Sequence, residues 1–361
     1  MTTYQDSITS ILNSRIAAGG MSGASIRVQQ RGKLLFEWAG GTREFGGRGG
    51  AVSPDSVFLI ASITKPMVTS IVAKLLETGK IDLDTPVASF VPEFAQNGKG
   101  AVTLRHCFTH TSGLTDMVPD DKALRPANAP LSDYVASACR SRLLFAPGTD
   151  VRYQSSGILM LSETAQRITG CDMRDLFDDW LAGPCGLMSA KLGWRDDFGD
   201  LNVAAKVVHG PDSATWNHNS RYWREIGAPW AGVHSDAASV AVFLQVVLDG
   251  GVTRTGTRVF SPGAVRLMLA DHIAAMPGLS GEARLREGWG LGWKLVRQGV
   301  GGWFGSGAPA GAFGHGGATG TIAWADPKSH VVFTLLTNGT LDAEGAAIAA
   351  CSNVAALELC G

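Results

Sequence analysis

The amino-acid sequence predicts an α/β fold of the α+β kind. One antiparallel sheet is flanked by terminal helices, and a mainly helical lobe is inserted into it. Three observations predict this: short β-like runs pair up near each end of the chain, the stretch between them carries helical spacing, and an alanine-rich helix closes the sequence. At 361 residues the chain is long for one compact core. Two lobes are therefore expected, a discontinuous sheet lobe of residues 1–75 with 285–361 and a helical lobe of residues 76–284. The cleft between them is where a small-molecule site is expected.

The first twenty residues have the spacing of an amphipathic helix and lack a basic segment followed by an apolar one. A signal peptide is therefore not expected, and a cytoplasmic location is. Ala24–Gln29 and Leu34–Ala39 read as a hairpin about the polar turn Gln30-Arg31-Gly32-Lys33. Apolar residues recur at helical intervals in Ile63–Glu77, Leu131–Arg140, Ser156–Thr169, Met173–Leu181 and Asp236–Leu248. Ala146-Pro147-Gly148 and Gly183-Pro184 punctuate that middle. Gly320–Ala325 and Val331–Thr337, about the turn Asp326–Ser329, form a second hairpin, and the last helix starts near Leu341.

Composition narrows the function. With 31 Lys+Arg against 32 Asp+Glu the formal charge is −1, without the basic face that a nucleic-acid binder carries. No apolar stretch approaches the length of a membrane span. The six cysteines have no C-x-x-C spacing and are expected to be reduced thiols. A nucleophile elbow, a phosphate-binding loop, a zinc-binding H-E-x-x-H and a dinucleotide fingerprint are all missing. His106 and His110 are four apart but have no acidic partner, so a metal site is not expected.

The positive signal is Ser62-Ile63-Thr64-Lys65, an S-x-x-K that follows the apolar approach Val57–Ile60. Ser62 would open the helix, near its free N–H groups, with Lys65 one turn on and within reach of the hydroxyl. A plain helix cap is the competing reading of Ser62. Two further segments bear on the choice. Pro147–Gly157 places Tyr153 and Ser155 just before a helix, and Phe313-Gly314-His315-Gly316-Gly317-Ala318-Thr319-Gly320 leads into a strand.

S-x-x-K, then Tyr-x-Ser, then His-Gly-Gly before a C-terminal strand resembles the serine β-lactamase and penicillin-binding-protein superfamily. The order is similar to its class C-like branch, with the D-aminopeptidases and family VIII carboxylesterases. Leu104–Leu114, Trp230–Ser235 and Gly288–Trp293 resemble the same branch, so the likeness runs from about residue 24 to residue 340. It implies a β-lactamase-like fold and a covalent mechanism without metal or organic cofactor. Ser62 would be the nucleophile, and Lys65 and Tyr153 would share the proton transfers. The oxyanion would be held by the backbone N–H groups of Ser62 and Ala318. Ser155 would orient the lysine or the substrate, and Gly316 and Gly317 would let the substrate lie flat against the strand.

The third motif departs from the β-lactamase pattern. His315-Gly316-Gly317 stands where Lys-Thr-Gly would grip a substrate carboxylate, which implies weaker recognition of β-lactams and of peptides ending in D-alanine. A protonated His315, hydrogen-bonded to Tyr153, is expected to replace part of the missing charge. Trp230 and Trp303, with Trp216 and Trp223, suggest an apolar acyl or alcohol pocket, although lobe packing explains such residues equally well. Thr115–Pro130 reads either as a lid or as a surface loop. The expected partner is a small ester. Close alternatives are D-amino-acid amidase, D-aminopeptidase, DD-peptidase-like hydrolase and acyltransferase, and a non-catalytic binding module is the remote one.

Overall fold

The computed structural model describes residues 3–208, 214–297 and 303–361. The two hairpins do meet in one sheet. The first strand, β1 (Gly23–Gln30), pairs with β2 (Lys33–Glu44) on one side. On its other side lies the last strand, which we number β12 (Val331–Thr337). Arg31 and Gly32 both have positive φ, 50° and 70°, and make the two-residue turn that suits the right-handed strand twist. The sheet grows outward from this pair. Beyond β2 lies β3 (Arg48–Ala51). Beyond β12 lie β11 (Thr321–Asp326), β10 (Phe313–Gly317), β9 (Lys294–Leu295) and β8 (Gly288–Trp289) in turn. All of these pairings are antiparallel.

Alternation along the strands gives the sheet two apolar faces. Ile26, Val28, Phe333, Leu335 and Trp324 face outward and are covered by the terminal helices Tyr4–Ala17 and Leu341–Leu359, through Ile8, Leu12, Ile348 and Cys351. Arg15 and Glu344 tie those two helices together through two hydrogen bonds of 2.8 Å each. The inner face, with Ala323, Ala325, Val332 and Leu336, continues into the large cluster that fills the helical half. The helices Thr64–Glu77, Ser156–Thr169 and Ala237–Leu248 pack there.

Several details differ from the sequence reading. The Gly-rich run at 313–317 is itself a strand, and β8 and β9 extend the sheet past it. A second, four-stranded sheet of very short strands appears, formed by β4 (Val57–Leu59), β5 (Lys191–Leu192), β6 (Asn202–Val203) and β7 (Val233–Ser235). Strands of two or three residues are too short for alternation to reveal them. The helix at Met173–Phe177 passes into a wider π turn at Asp178–Ala182, just ahead of Gly183-Pro184, where proline cannot donate a hydrogen bond to the preceding turn. All six cysteines are unpaired thiols. Among the described residues no helix is long and apolar enough to cross a membrane.

Candidate active site

The site is built where β4 delivers the chain to the long helix Thr64–Glu77. Ala61, just before the serine, has a φ of 46°, a left-handed conformation that costs energy in a residue with a side chain. The turn after β10 holds this kink in place. Thr319 Oγ1 donates to Leu59 O at 2.7 Å, and Thr321 Oγ1 donates to Ile60 O at 2.9 Å. Ser62 therefore lies in a single 3₁₀ turn, Ala61–Ile63, and its side chain caps no backbone N–H. The competing reading of Ser62 as a helix cap is removed.

Lys65 is fully buried, and its Nζ lies 3.0 Å from Ser62 Oγ and 3.0 Å from the carbonyl of Trp230. The amine also sits 4.7 Å above the Tyr153 ring. Burial lowers the Lys65 pKa to about 7, against an opposing pull from Asp116. Burial, reinforced by Asp116 and Glu287 and opposed by the Ser62 hydroxyl, pushes the Tyr153 pKa upward. A cation beside a tyrosine favours its phenolate, but here desolvation is the larger effect. Serine, a lysine that is about half neutral at pH 7 and a protonated tyrosine thus meet at one point.

Comparisons with known proteins identify the family. The beta-lactamase family matches residues 8–355. The chain belongs to the beta-lactamase family. It is 30% identical over 303 residues to "Penicillin-binding protein 4" of Amycolatopsis lactamdurans, covering 81% of this chain and 75% of that protein. It is 25% identical to "Esterase/beta-lactamase LipL" of Mycobacterium tuberculosis, covering 80% of this chain and 71% of that one. Its fold is similar to that of a solved family VIII carboxylesterase, with a TM-score of 0.76, 23% identity, and coverage of 97% of this chain and 96% of that one.

Within this beta-lactamase-family site, other expected residues fall in varied places. The hydrogen bonds of Ser155 go to Asp116 rather than to Lys65: its N–H and Oγ both donate to Asp116 Oδ1 at 2.9 Å. Gly316 and Gly317 lie on β10, which pairs with β9 only at Phe313 and Gly314. Ala318 follows the end of the strand and is exposed. Trp303 stands edge-on to the Tyr153 and His315 rings, with centroids 5.3 and 5.2 Å away. Trp230 requires a correction. Its indole is buried against Tyr134 and Trp223, so its carbonyl, rather than its ring, serves the site. Trp223 is likewise packing, and Trp216 stacks on Arg125. The first residues of the segment Asp212–Trp230 lie outside the described residues.

The reading of His315 also changes. Its Nδ1 is 2.6 Å from Gly316 O, and its Nε2 has no partner among the described residues, so it is not hydrogen-bonded to Tyr153. Burial, and secondarily the charge of Lys65, lowers its pKa to about 3. A neutral ring cannot replace a lysine's charge. A second lysine acting on His315 is Lys294 of β9, 3.3 Å from Glu287 and 4.9 Å above the Trp289 ring.

The sequence reading missed two residues that hold the middle motif. His110 does not share a helical face with His106, because the helix Leu104–Phe108 ends before it. With a φ of 60°, it accepts Arg152 N–H on its carbonyl (2.9 Å) and Gln154 N–H on Nδ1 (3.2 Å), and its ring packs 4.8 Å from that of Tyr153. Asp116, from the segment read as lid or loop, binds Ser155 and Ser156. His110 lies within the Leu104–Leu114 segment and Asp116 just after it, which is the one hint the sequence offers for either. Neither carries a local spacing signal.

Proposed function

We propose that this beta-lactamase-family protein is a serine hydrolase that acts through an acyl-enzyme on carboxylic esters. The observation that carries the reading is the meeting of Ser62 Oγ with a buried Lys65 amine whose pKa is lowered to about 7, beside protonated Tyr153. The neutral amine takes the Ser62 proton as Oγ attacks the ester carbonyl. The N–H groups of Ser62 and Ala318 receive the oxyanion. As the tetrahedral intermediate collapses, the C–O bond to the alcohol breaks. Tyr153 gives its proton to the departing alkoxide and is reprotonated from the Lys65 ammonium. Water then repeats the sequence on the acyl-enzyme and releases the acid.

Three features favour esters. His315 is neutral, the Lys294 ammonium is already matched by Glu287, and Trp303, Trp289 and Tyr153 form an aromatic wall. Such a site offers little to a substrate carboxylate and much to an apolar group. The name of the mycobacterial relative points the same way. A second reading, an amide-directed hydrolase of the D-aminopeptidase or DD-peptidase kind, rests on the penicillin-binding-protein relative.

Hydrolysis of p-nitrophenyl butyrate by the wild type and by Ser62→Ala, with folding verified by circular dichroism, tests the proposal. A loss of about a thousandfold or more in kcat/KM is expected. Equal activity in both would overturn it. Slow ester turnover combined with fast turnover of D-alanyl p-nitroanilide would favour the amide reading.

A further inference from the structure

The segments 110–116 and 152–156 run beside each other, and one residue makes most of the polar contact at the far end. Asp116 Oδ1 accepts from Ser155 N–H and from Ser155 Oγ, each at 2.9 Å. Its backbone carbonyl accepts from the N–H groups of Ser155 and Ser156, each at 2.9 Å, and from Ser156 Oγ at 3.1 Å. Those N–H groups lie at the start of the helix Ser156–Thr169, where a carboxylate is favoured by the free donors and the dipole. Capping alone would account for that much.

Two facts go further. The Ser155 hydroxyl, the polar side chain of the middle motif, is committed to Asp116, while Lys65 is held by Ser62 Oγ and Trp230 O. Yet Asp116 is the carboxylate that acts electrostatically on Lys65. The other titratable groups facing Lys65 carry no opposing charge near pH 7. Tyr153 on the 152–156 segment is protonated, and His110 on the 110–116 segment and His315 on β10 are neutral by burial. Lys294 of β9 is paired with Glu287 and acts on His110 and His315.

We propose that Asp116 is a positioning residue for the reaction, fixing the Tyr153–Ser155 turn through its oxygens and acting on Lys65 through its negative charge. It rests on the reading of Ser62, Lys65 and Tyr153 given above. The two contributions separate by substitution. Asp116→Asn retains an oxygen that can accept from Ser155 but loses the charge, Asp116→Ala loses both, and Ser155→Ala loses only the hydroxyl.

The experiment is the pH dependence of kcat/KM for p-nitrophenyl butyrate between about pH 5 and 9 in all four proteins, with fluorophosphonate labelling of Ser62 as a check on the nucleophile. In the wild type the acid limb falls near pH 7, where Lys65 becomes protonated. Without the negative charge the ammonium loses its proton more easily, so the Asp116→Asn limb moves to lower pH by about half a unit or more, with plateau kcat within about threefold of wild type. Asp116→Ala shows the same displacement and a plateau lower by about tenfold or more, whereas Ser155→Ala lowers the plateau without moving the limb. An Asp116→Asn limb at the wild-type pH, with Ser62 still labelled, overturns this proposal and leaves the hydrolase reading standing. Failure of Ser62 to label, with Ser62→Ala fully active, removes that reading and this proposal together. Should Asp116→Ala not fold, the near-isosteric Asp116→Asn still decides.

Discussion

Lys65 is a lysine whose burial is at odds with stability and useful for chemistry. Its folded-state pKa of about 7 lies below that of an exposed lysine, so the ammonium favours the unfolded chain. That cost is absent well above the unfolded value, grows as pH falls towards 7, and is fully present below it. Lys65→Met is expected to abolish turnover and to stabilise the protein by on the order of 2 kcal/mol at pH 7, after allowing for the donor lost to Trp230 O. Chemical denaturation at pH 6 and at pH 10 checks this; the gain should be larger at pH 6. His315→Gln is expected to leave the acid limb of the rate profile in place, because a histidine with a pKa of about 3 does not titrate there. A shifted limb would restore the sequence-based view of a charged His315. Ser62 and Lys65 were legible because S-x-x-K is a local pattern that one helical turn converts into a contact of 3.0 Å. The left-handed φ of Ala61 and the partners of His110 and Asp116 were not, since they arise only when distant segments meet.

The last two glycines of β10, Gly316 and Gly317, look alike in the sequence and differ in the fold. A Cβ on Gly317 would collide with the Ile60 carbonyl oxygen and with Thr321 Oγ1, on the segment that leads into Ser62. A Cβ on Gly316 would make only ordinary contacts, 3.7 Å from Thr321 O and 3.8 Å from the Trp303 ring. Gly317→Ala is therefore expected to lower kcat/KM by about a hundredfold and to destabilise the fold by about 1–3 kcal/mol, while Gly316→Ala stays within about tenfold. Esterase kinetics with thermal melts of both variants measure the contrast, and equal effects would contradict the close docking of β10 on Ile60. Long elements were readable from periodicity: the helices Leu131–Arg140 and Ser156–Thr169 fall on the spans expected. β10 was misjudged because Phe-Gly-His-Gly-Gly has no strand-forming side chains beyond its first residue. It is held by β11 and docked on the nucleophile segment rather than by its own propensity.

At the scale of the whole molecule the sheet separates support from chemistry. Its outer face is sealed by the terminal helices through Ile8, Leu12, Ile348 and Cys351. Ser62 and Lys65 lie at the start of the helix that packs on the inner side, and Tyr153 packs against a small cluster with Val151, Ile273 and Trp289. Leu12→Ala is expected to cost about 2–4 kcal/mol and to lower the melting midpoint by several degrees, with specific activity per folded molecule unchanged below the melt. The pairing of the two end hairpins was legible because each brings two short β-like runs about a polar turn. The second, four-stranded sheet was not, because its strands join segments far apart in the chain.

The most direct test of the central claim is to quench the reaction with p-nitrophenyl butyrate during turnover and to locate the acyl group by peptide mass spectrometry. The geometry predicts a butyryl ester on Ser62 that accumulates when deacylation is slow and is absent from Ser62→Ala. An acyl group on another residue, or turnover that persists undiminished without Ser62, would contradict it.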